Sequence, residues 1–174
     1  QNLDMIATEL FDSMKKIHGM GVRERLLLKI AVMLHDVGKY ISLNNAALCT
    51  YHIIMSNKII GLSHTEREMI ALIARYNTAP LPQYDQFAQI SAISEQQYLK
   101  VAELTAILRL ANTLDRSHMQ KVQQIRASLR ERELTLNLTV NGDFTLEQGL
   151  CREKMDFFYE VFSVRPNLKV KREM

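Results

Sequence analysis

Leu26-Leu27-Leu28-Lys29-Ile30-Ala31-Val32-Met33-Leu34-His35-Asp36-Val37-Gly38-Lys39-Tyr40 is the stretch whose reading decides the fold. An apolar run this continuous, bounded by charges, predicts a helix over about Val22 to Tyr40, buried on nearly all sides. Such a helix needs others around it. Upstream, Leu3, Ile6, Leu10 and Met14 fall on one helical face, predicting a first helix over about Leu3 to Ile17, closed by Gly19 and Gly21. Downstream, a third helix is expected over about Asn45 to Asn57. Ser63-His64-Thr65-Glu66 then reads as a capping box that opens a fourth, ending near Asn77 before Pro80 and Pro82. Thr78 to Ile93 is a long connection, expected as an ordered surface loop. Ser94-Glu95-Gln96-Gln97 is a second capping box, opening a long helix through Val101, Leu104, Ile107, Leu108, Ala111 and Leu114.

After His118 the period drops from helical to two. Ile125, Ala127 and Leu129 alternate with polar residues, as do Leu134, Leu136, Leu138 and Val140, with a short join at Glu131 to Glu133. That is a β-hairpin. A helix over about Leu150 to Phe162 and a strand over Leu168 to Lys171 complete a small ββαβ unit. The expected fold is mainly α: a helical bundle over residues 1–118, then a small α/β appendage over residues 119–174.

Composition sets the outer bounds. The chain of 174 residues is 47% apolar and 24% charged, a globular balance with core enough to need no staples. Cys49 and Cys151 show neither metal-type spacing nor a disulfide framework, and read as free thiols of a reducing cytoplasm. No apolar run approaches the roughly 20 residues that span a bilayer. A net charge of +3 is mild, so neither membrane nor nucleic acid is an expected partner. The chain opens on Gln1 with a helical pattern already running, which reads as a piece of a longer protein.

His35 and Asp36 carry the most suggestive chemistry. An imidazole nitrogen and a carboxylate oxygen both suit a divalent metal, and Asp115 could bring a third ligand. The bland alternative is a relic, with His35 paired to Asp115 and Asp36 capping backbone groups. His18, His52 and His64 read as ordinary polar residues, and the nine methionines as core filler. Arg67, Arg75, Arg109 and Arg116 are candidates for phosphate contact, with Arg75, Arg109 and Arg116 the foremost, because guanidinium forks match phosphate oxygens. Arg109 and Arg116 lie seven apart, as on one helix face. Solvated surface, or pairing with Glu66, Glu68 and Glu103, is their equal alternative, and the basic residues of the small unit read as a solvated face.

Leu34-His35-Asp36-Val37-Gly38-Lys39-Tyr40 resembles the signature of the HD-domain phosphohydrolases. A closer resemblance covers the whole chain. His35-Asp36-Val37-Gly38-Lys39-Tyr40-Ile41, Asn57-Lys58-Ile59-Ile60-Gly61-Leu62-Ser63, Glu66-Arg67-Glu68, Ala74-Arg75-Tyr76 and Leu110-Ala111-Asn112-Thr113-Leu114-Asp115-Arg116-Ser117-His118 follow in order. They are similar to the C-terminal, HD-type domain of the exopolyphosphatase/guanosine pentaphosphatase (Ppx/GppA) family. The resemblance implies actin-like N-terminal domains, absent from this sequence, that hold Mg²⁺ and remove terminal phosphate from polyphosphate or pppGpp. On that reading this chain holds no catalytic residue of its own. It helps to bind polyphosphate or pppGpp, docks on its own N-terminal phosphatase domains, and forms a homodimer. It also implies an upstream His as first metal ligand, at about Asn2 or before Gln1, so that ligand is substituted or cut off. Two rival readings are an autonomous HD-type metal-dependent nucleotide phosphohydrolase, with metal on His35, Asp36 and Asp115, and a dimerisation module without ligand. Preference between polyphosphate and pppGpp is not legible.

Overall fold

The computed structural model describes residues 2–173. Its helices are α1 (Asn2–Ser13), α2 (Lys15–His18), α3 (Val22–Leu34), α4 (Ala46–Ser56), α5 (His64–Tyr76), α6 (Tyr84–Phe87), α7 (Glu95–Leu114) and α8 (Thr145–Phe162). A 3₁₀ turn covers Val37–Tyr40, and the strands are β1 (Val122–Arg130), β2 (Glu133–Val140) and β3 (Arg165–Arg172). The fold is mainly α with a small C-terminal sheet, as the two periods in the sequence imply.

The chain divides into two compact units, Gln1–Gly21 with Ala106–Met174, and Val22–Thr105. This grouping differs from the expected split at 118/119, and the sheet supplies the reason. A three-stranded sheet has a face to cover, and α1 packs on β1. The Glu9 carboxylate on α1 accepts the Ala127 backbone N–H at 2.9 Å, occupying a donor of the β1 edge. Leu3, Ile6, Leu10 and Met14, the face read from the sequence, are all buried.

Within this unit β1 and β2 pair antiparallel and β3 joins β2 in parallel, so β2 is the central strand. Leu134, Leu136, Leu138 and Val140 are accordingly buried at one face. A register shift between Val122 and Gln124 lets Val122 and Ile125, three apart, both bury. α8 makes the crossover that a parallel pair requires. It starts at Thr145, five residues before the expected Leu150. Asp143 explains the early start: its Oδ1 accepts the Thr145 amide at 3.0 Å and hydroxyl at 2.6 Å.

In the other unit both capping boxes form as read. Ser63 Oγ accepts the Glu66 amide at 3.1 Å, and the Glu66 carboxylate accepts the Ser63 amide at 2.8 Å. Ser94 and Gln97 repeat the exchange at the start of α7. Glu66 also pairs with Arg23, whose guanidinium, aided by the Ser63 amide, holds the carboxyl down at about 2. The long connection is ordered, as expected, and carries α6, which the sequence reading did not separate. Phe87 is fully buried there, 5.0 Å from the Tyr98 ring, and the Tyr98 hydroxyl donates to the Pro82 carbonyl at 2.7 Å.

Two expectations for α3 are corrected. The helix stops at Leu34, not Tyr40, and it buries one face only. Leu27, Leu28, Ala31 and Val32 are buried, whereas Leu26 and Met33 are exposed. Hydrophobicity alone could not distinguish a fully buried helix from one with an apolar outer face.

Glu103 on α7 is a half-buried acid of this unit. Burial pushes its carboxyl up to about 7, against the pull of Lys100. The fold therefore keeps a proton that the unfolded chain releases from about pH 4.5 upward. Stability must fall as pH rises through that window. Glu103→Gln should leave stability unchanged near pH 4 and raise it by about 2 kcal/mol above pH 7, after allowance for partial exposure. Urea denaturation at the two pH values checks this, and equal effects at both would refute it.

Candidate functional site

His35 and Asp36 lie in the turn where α3 gives way to the 3₁₀ segment. Gly38 sets that turn: its amide donates to Thr50 Oγ1 at 2.9 Å, joining the segment to α4. His35 Nδ1 lies 2.7 Å from the Val32 carbonyl oxygen. A carbonyl only accepts, so Nδ1 carries a proton, and in the neutral ring Nε2 presents its lone pair. That Nε2 is buried and has no hydrogen-bond partner among the described residues. Asp36 occupies the cap position of the 3₁₀ segment but makes no cap with its side chain. It lies 3.9 Å from Lys39 Nζ.

Asp115 sits just past the end of α7, in the unit that contains the sheet, whereas His35 and Asp36 belong to the other unit. Asp115 is buried, and its Oδ1 accepts Asn2 Nδ2 at 3.0 Å. His118 Nδ1 stands 3.9 Å from Oδ2. Asn2 is thus both buried and turned onto the carboxylate that the family pattern assigns to the last metal ligand. The first His of that pattern is expected at about Asn2 or before Gln1. An amide NH₂ has no lone pair to give a metal, so the contact is a hydrogen bond in place of a shared ligand. Among the described residues, no three His, Cys, Asp or Glu side chains are grouped so as to hold a metal ion. His35 bonds Val32, and the Asp36 side chain makes no cap.

The other histidines do structural work. His18 closes the first helical region: its Nε2 lies 2.8 Å from the Phe11 carbonyl and its Nδ1 accepts the Met20 amide at 2.9 Å. His64 Nδ1 meets Arg67 Nη2 at 2.9 Å, and His52 lies edge-on to Tyr51.

The candidate arginines are divided between the two units. Arg75 belongs to the Val22–Thr105 unit, with its guanidinium 5.4 Å from the Tyr51 ring centre and 5.3 Å from that of Tyr76. Arg109 lies over the Phe157 ring at 4.1 Å, half-buried, and burial holds its pKa below the ordinary value against Glu153. α7 ends at Leu114, so Arg116 lies beyond the helix, exposed in the turn. Their seven-residue spacing does not put them on one helical face.

Glu147 is a charged group that the sequence reading missed. It is fully buried on α8, with Lys121 Nζ at 3.0 and 3.2 Å from its two oxygens. Burial would raise its carboxyl, but hydrogen bonds from Ser117 and Lys121 win and hold it below the usual range. Ser117 and Lys121 flank His118 and Gln120, two non-glycine residues at a φ of 51°. The buried carboxylate ties down both ends of this strained connection.

No helix among the described residues is long and apolar enough to cross a membrane. No individually curated protein matches the chain. A family model does: Ppx/GppA phosphatase, domain III, matches residues 1–157. That match spans both compact units, the His-Asp turn and the Asn2–Asp115 contact, and the chain therefore belongs to the Ppx/GppA phosphatase family as its domain III.

Proposed function

We propose that this domain is an accessory to a phosphatase that removes terminal phosphate from polyphosphate or pppGpp, helping to bind that substrate and to form a homodimer. The phosphate-releasing chemistry, with its Mg²⁺, belongs on this reading to actin-like N-terminal domains outside this sequence. The observation that carries it is the buried Asn2–Asp115 hydrogen bond. It engages the Asp115 carboxylate with an amide, from about the position at which an HD-type phosphohydrolase carries its first imidazole, and so favours a relic over a working metal centre at His35, Asp36 and Asp115. The lone pair of His35 Nε2 is what favours the rival, autonomous hydrolase. A cytoplasmic setting accords with the free thiols of Cys49 and Cys151.

Arg75, Arg109 and Arg116 are the proposed phosphate contacts, acting as scattered basic contacts instead of one deep pocket. Polyphosphate carries about one charge per unit, so its affinity should fall steeply with salt, by analogy with single-stranded nucleic acid. Long chains should bind more tightly than short ones because more contacts engage at once. Each Arg→Ala change should cost about 1 kcal/mol or less. Titration of long and short polyphosphate at low and physiological salt tests this, alongside phosphate release assayed with Mg²⁺. The expected result is salt-sensitive, length-dependent binding without turnover. Turnover of order 1 s⁻¹ or more, abolished by Asp36→Ala, would establish the rival instead.

A further inference from the structure

The sheet ends in a cavity of about 850 Å³ that lies wholly within the sheet-containing unit and plays no part in the proposal above. Its charged wall comes from Arg130, the last residue of β1, Arg132, in the hairpin turn, and Arg165, the first residue of β3. The topology brings these together. β2 pairs antiparallel with β1 and parallel with β3, so Glu133 has Arg130 as its partner on one side and Arg165 on the other. The Arg165 amide also donates to the Arg132 carbonyl at 2.9 Å, which links the hairpin turn to the start of β3.

Glu131 and Glu133 line the same cavity and would be the natural partners of these cations. They do not serve as such. Among the described residues, no carboxylate forms an ion pair with Arg130, Arg132 or Arg165. Glu133 instead accepts from Asn167 Nδ2 at 3.3 Å. Arg165 is held by an aromatic face, its guanidinium 4.3 Å from the centre of the Tyr159 ring, which leaves its N–H fork undiverted. Glu131 and Ser163, both at a φ of 52°, border the cavity too, and non-glycine residues in this conformation carry a cost that ordinary turns avoid.

Guanidinium groups lining one mouth, with no carboxylate ion-paired to them among the described residues, fit an anion with several oxygens and more than one charge. The volume is that of a small-molecule site. We infer that this cavity binds a phosphoryl oligoanion, either the diphosphate of a nucleotide or a short inorganic phosphate chain. The two sources share the chemistry that Arg130, Arg132 and Arg165 recognise. Glu131 and Glu133 keep the net charge of the wall low, so binding is moderate and weakens with salt.

The test is a titration of isotope-labelled protein, followed by backbone amide shifts at low salt. Inorganic pyrophosphate, tripolyphosphate and ADP are the separate ligands, with sulfate as a control of lower charge. Saturable shifts are expected at residues 130–133 and 163–167, and all three ligands should outcompete sulfate. Tighter binding of ADP than of pyrophosphate assigns a nucleotide, and the reverse order assigns a phosphate chain. The exposed pair Arg132→Ala with Arg165→Ala should weaken binding by roughly 10-fold or more, whereas Lys169→Ala with Lys171→Ala should change it by less than about twofold. Combined substitution of Arg75, Arg109 and Arg116 should leave this site intact, which separates its failure from failure of the polyphosphate reading. Shifts spread evenly over the basic surface, no shifts at low salt, or an Arg132/Arg165 variant that binds like the parent would each overturn it.

Discussion

Gly38→Ala should lower stability by about 3 kcal/mol, a fall of roughly 6–12 °C in melting temperature for a chain of this size. A methyl group at position 38 would meet the Ala46 carbonyl oxygen and lie 2.5 Å from the Thr50 amide nitrogen and 2.6 Å from Thr50 Oγ1. Those atoms belong to α4 and cannot yield as a side-chain tip could. Separating them also threatens the bond from the Gly38 amide to Thr50 Oγ1. Gly149→Ala is the matched control. Nothing lies within 4 Å of its added methyl, and it sits inside α8, where alanine outranks glycine. That change should stabilise by about 0.5–1 kcal/mol. Paired thermal melts decide the matter, and a Gly38→Ala protein that melts with its parent would show the close approach to α4 to be unimportant.

Lys121→Met should cost about 3 kcal/mol at neutral pH, because it strands the fully buried Glu147 carboxylate with Ser117 as its remaining side-chain donor. The pH dependence gives the signature. In the parent the Glu147 carboxyl is held below its usual range, so its contribution is present above about pH 4.5 and is lost as pH falls through the folded value. In the variant burial acts without the lysine, the carboxyl takes up a proton, and the defect shrinks in acid. Adding Glu147→Gln to Lys121→Met should recover much of the loss. A double-mutant cycle by urea denaturation at about pH 4 and pH 8 measures this. A defect of the same size at both pH values would mean that lost packing, not the stranded charge, is responsible.

Much of the fold was legible because the periods were clean. Leu3, Ile6, Leu10 and Met14 named the buried face of α1, and the two capping boxes fixed the starts of α5 and α7 to the residue. The end of α3 was not legible, because His35 and Asp36 are compatible with helix. What stops the helix is the approach of Gly38 to Thr50, a contact between residues twelve apart. The site was read in part. The residue types at His35, Asp36 and Asp115 suggested a metal, and the position of a missing ligand was narrowed to Asn2 or beyond. Only the fold shows the Asn2 amide on Asp115, since those residues are 113 apart in the chain. Arg132 and Arg165 escaped notice for a similar reason. Spacing along the chain says nothing of a parallel strand that returns to the mouth of a hairpin.

The Glu9–Ala127 bond has a further consequence, for the order in which the chain can fold. α1 leaves the ribosome well before its docking partner β1, which comes more than one hundred residues later. The intervening Val22–Thr105 unit has its own compact set of contacts and can form while the rest is still being made. α1 must meanwhile wait with its apolar face uncovered, and its final docking closes a long loop late in the process. Slow folding steps and early aggregation should therefore report on α1 and the sheet, while the Val22–Thr105 unit forms promptly.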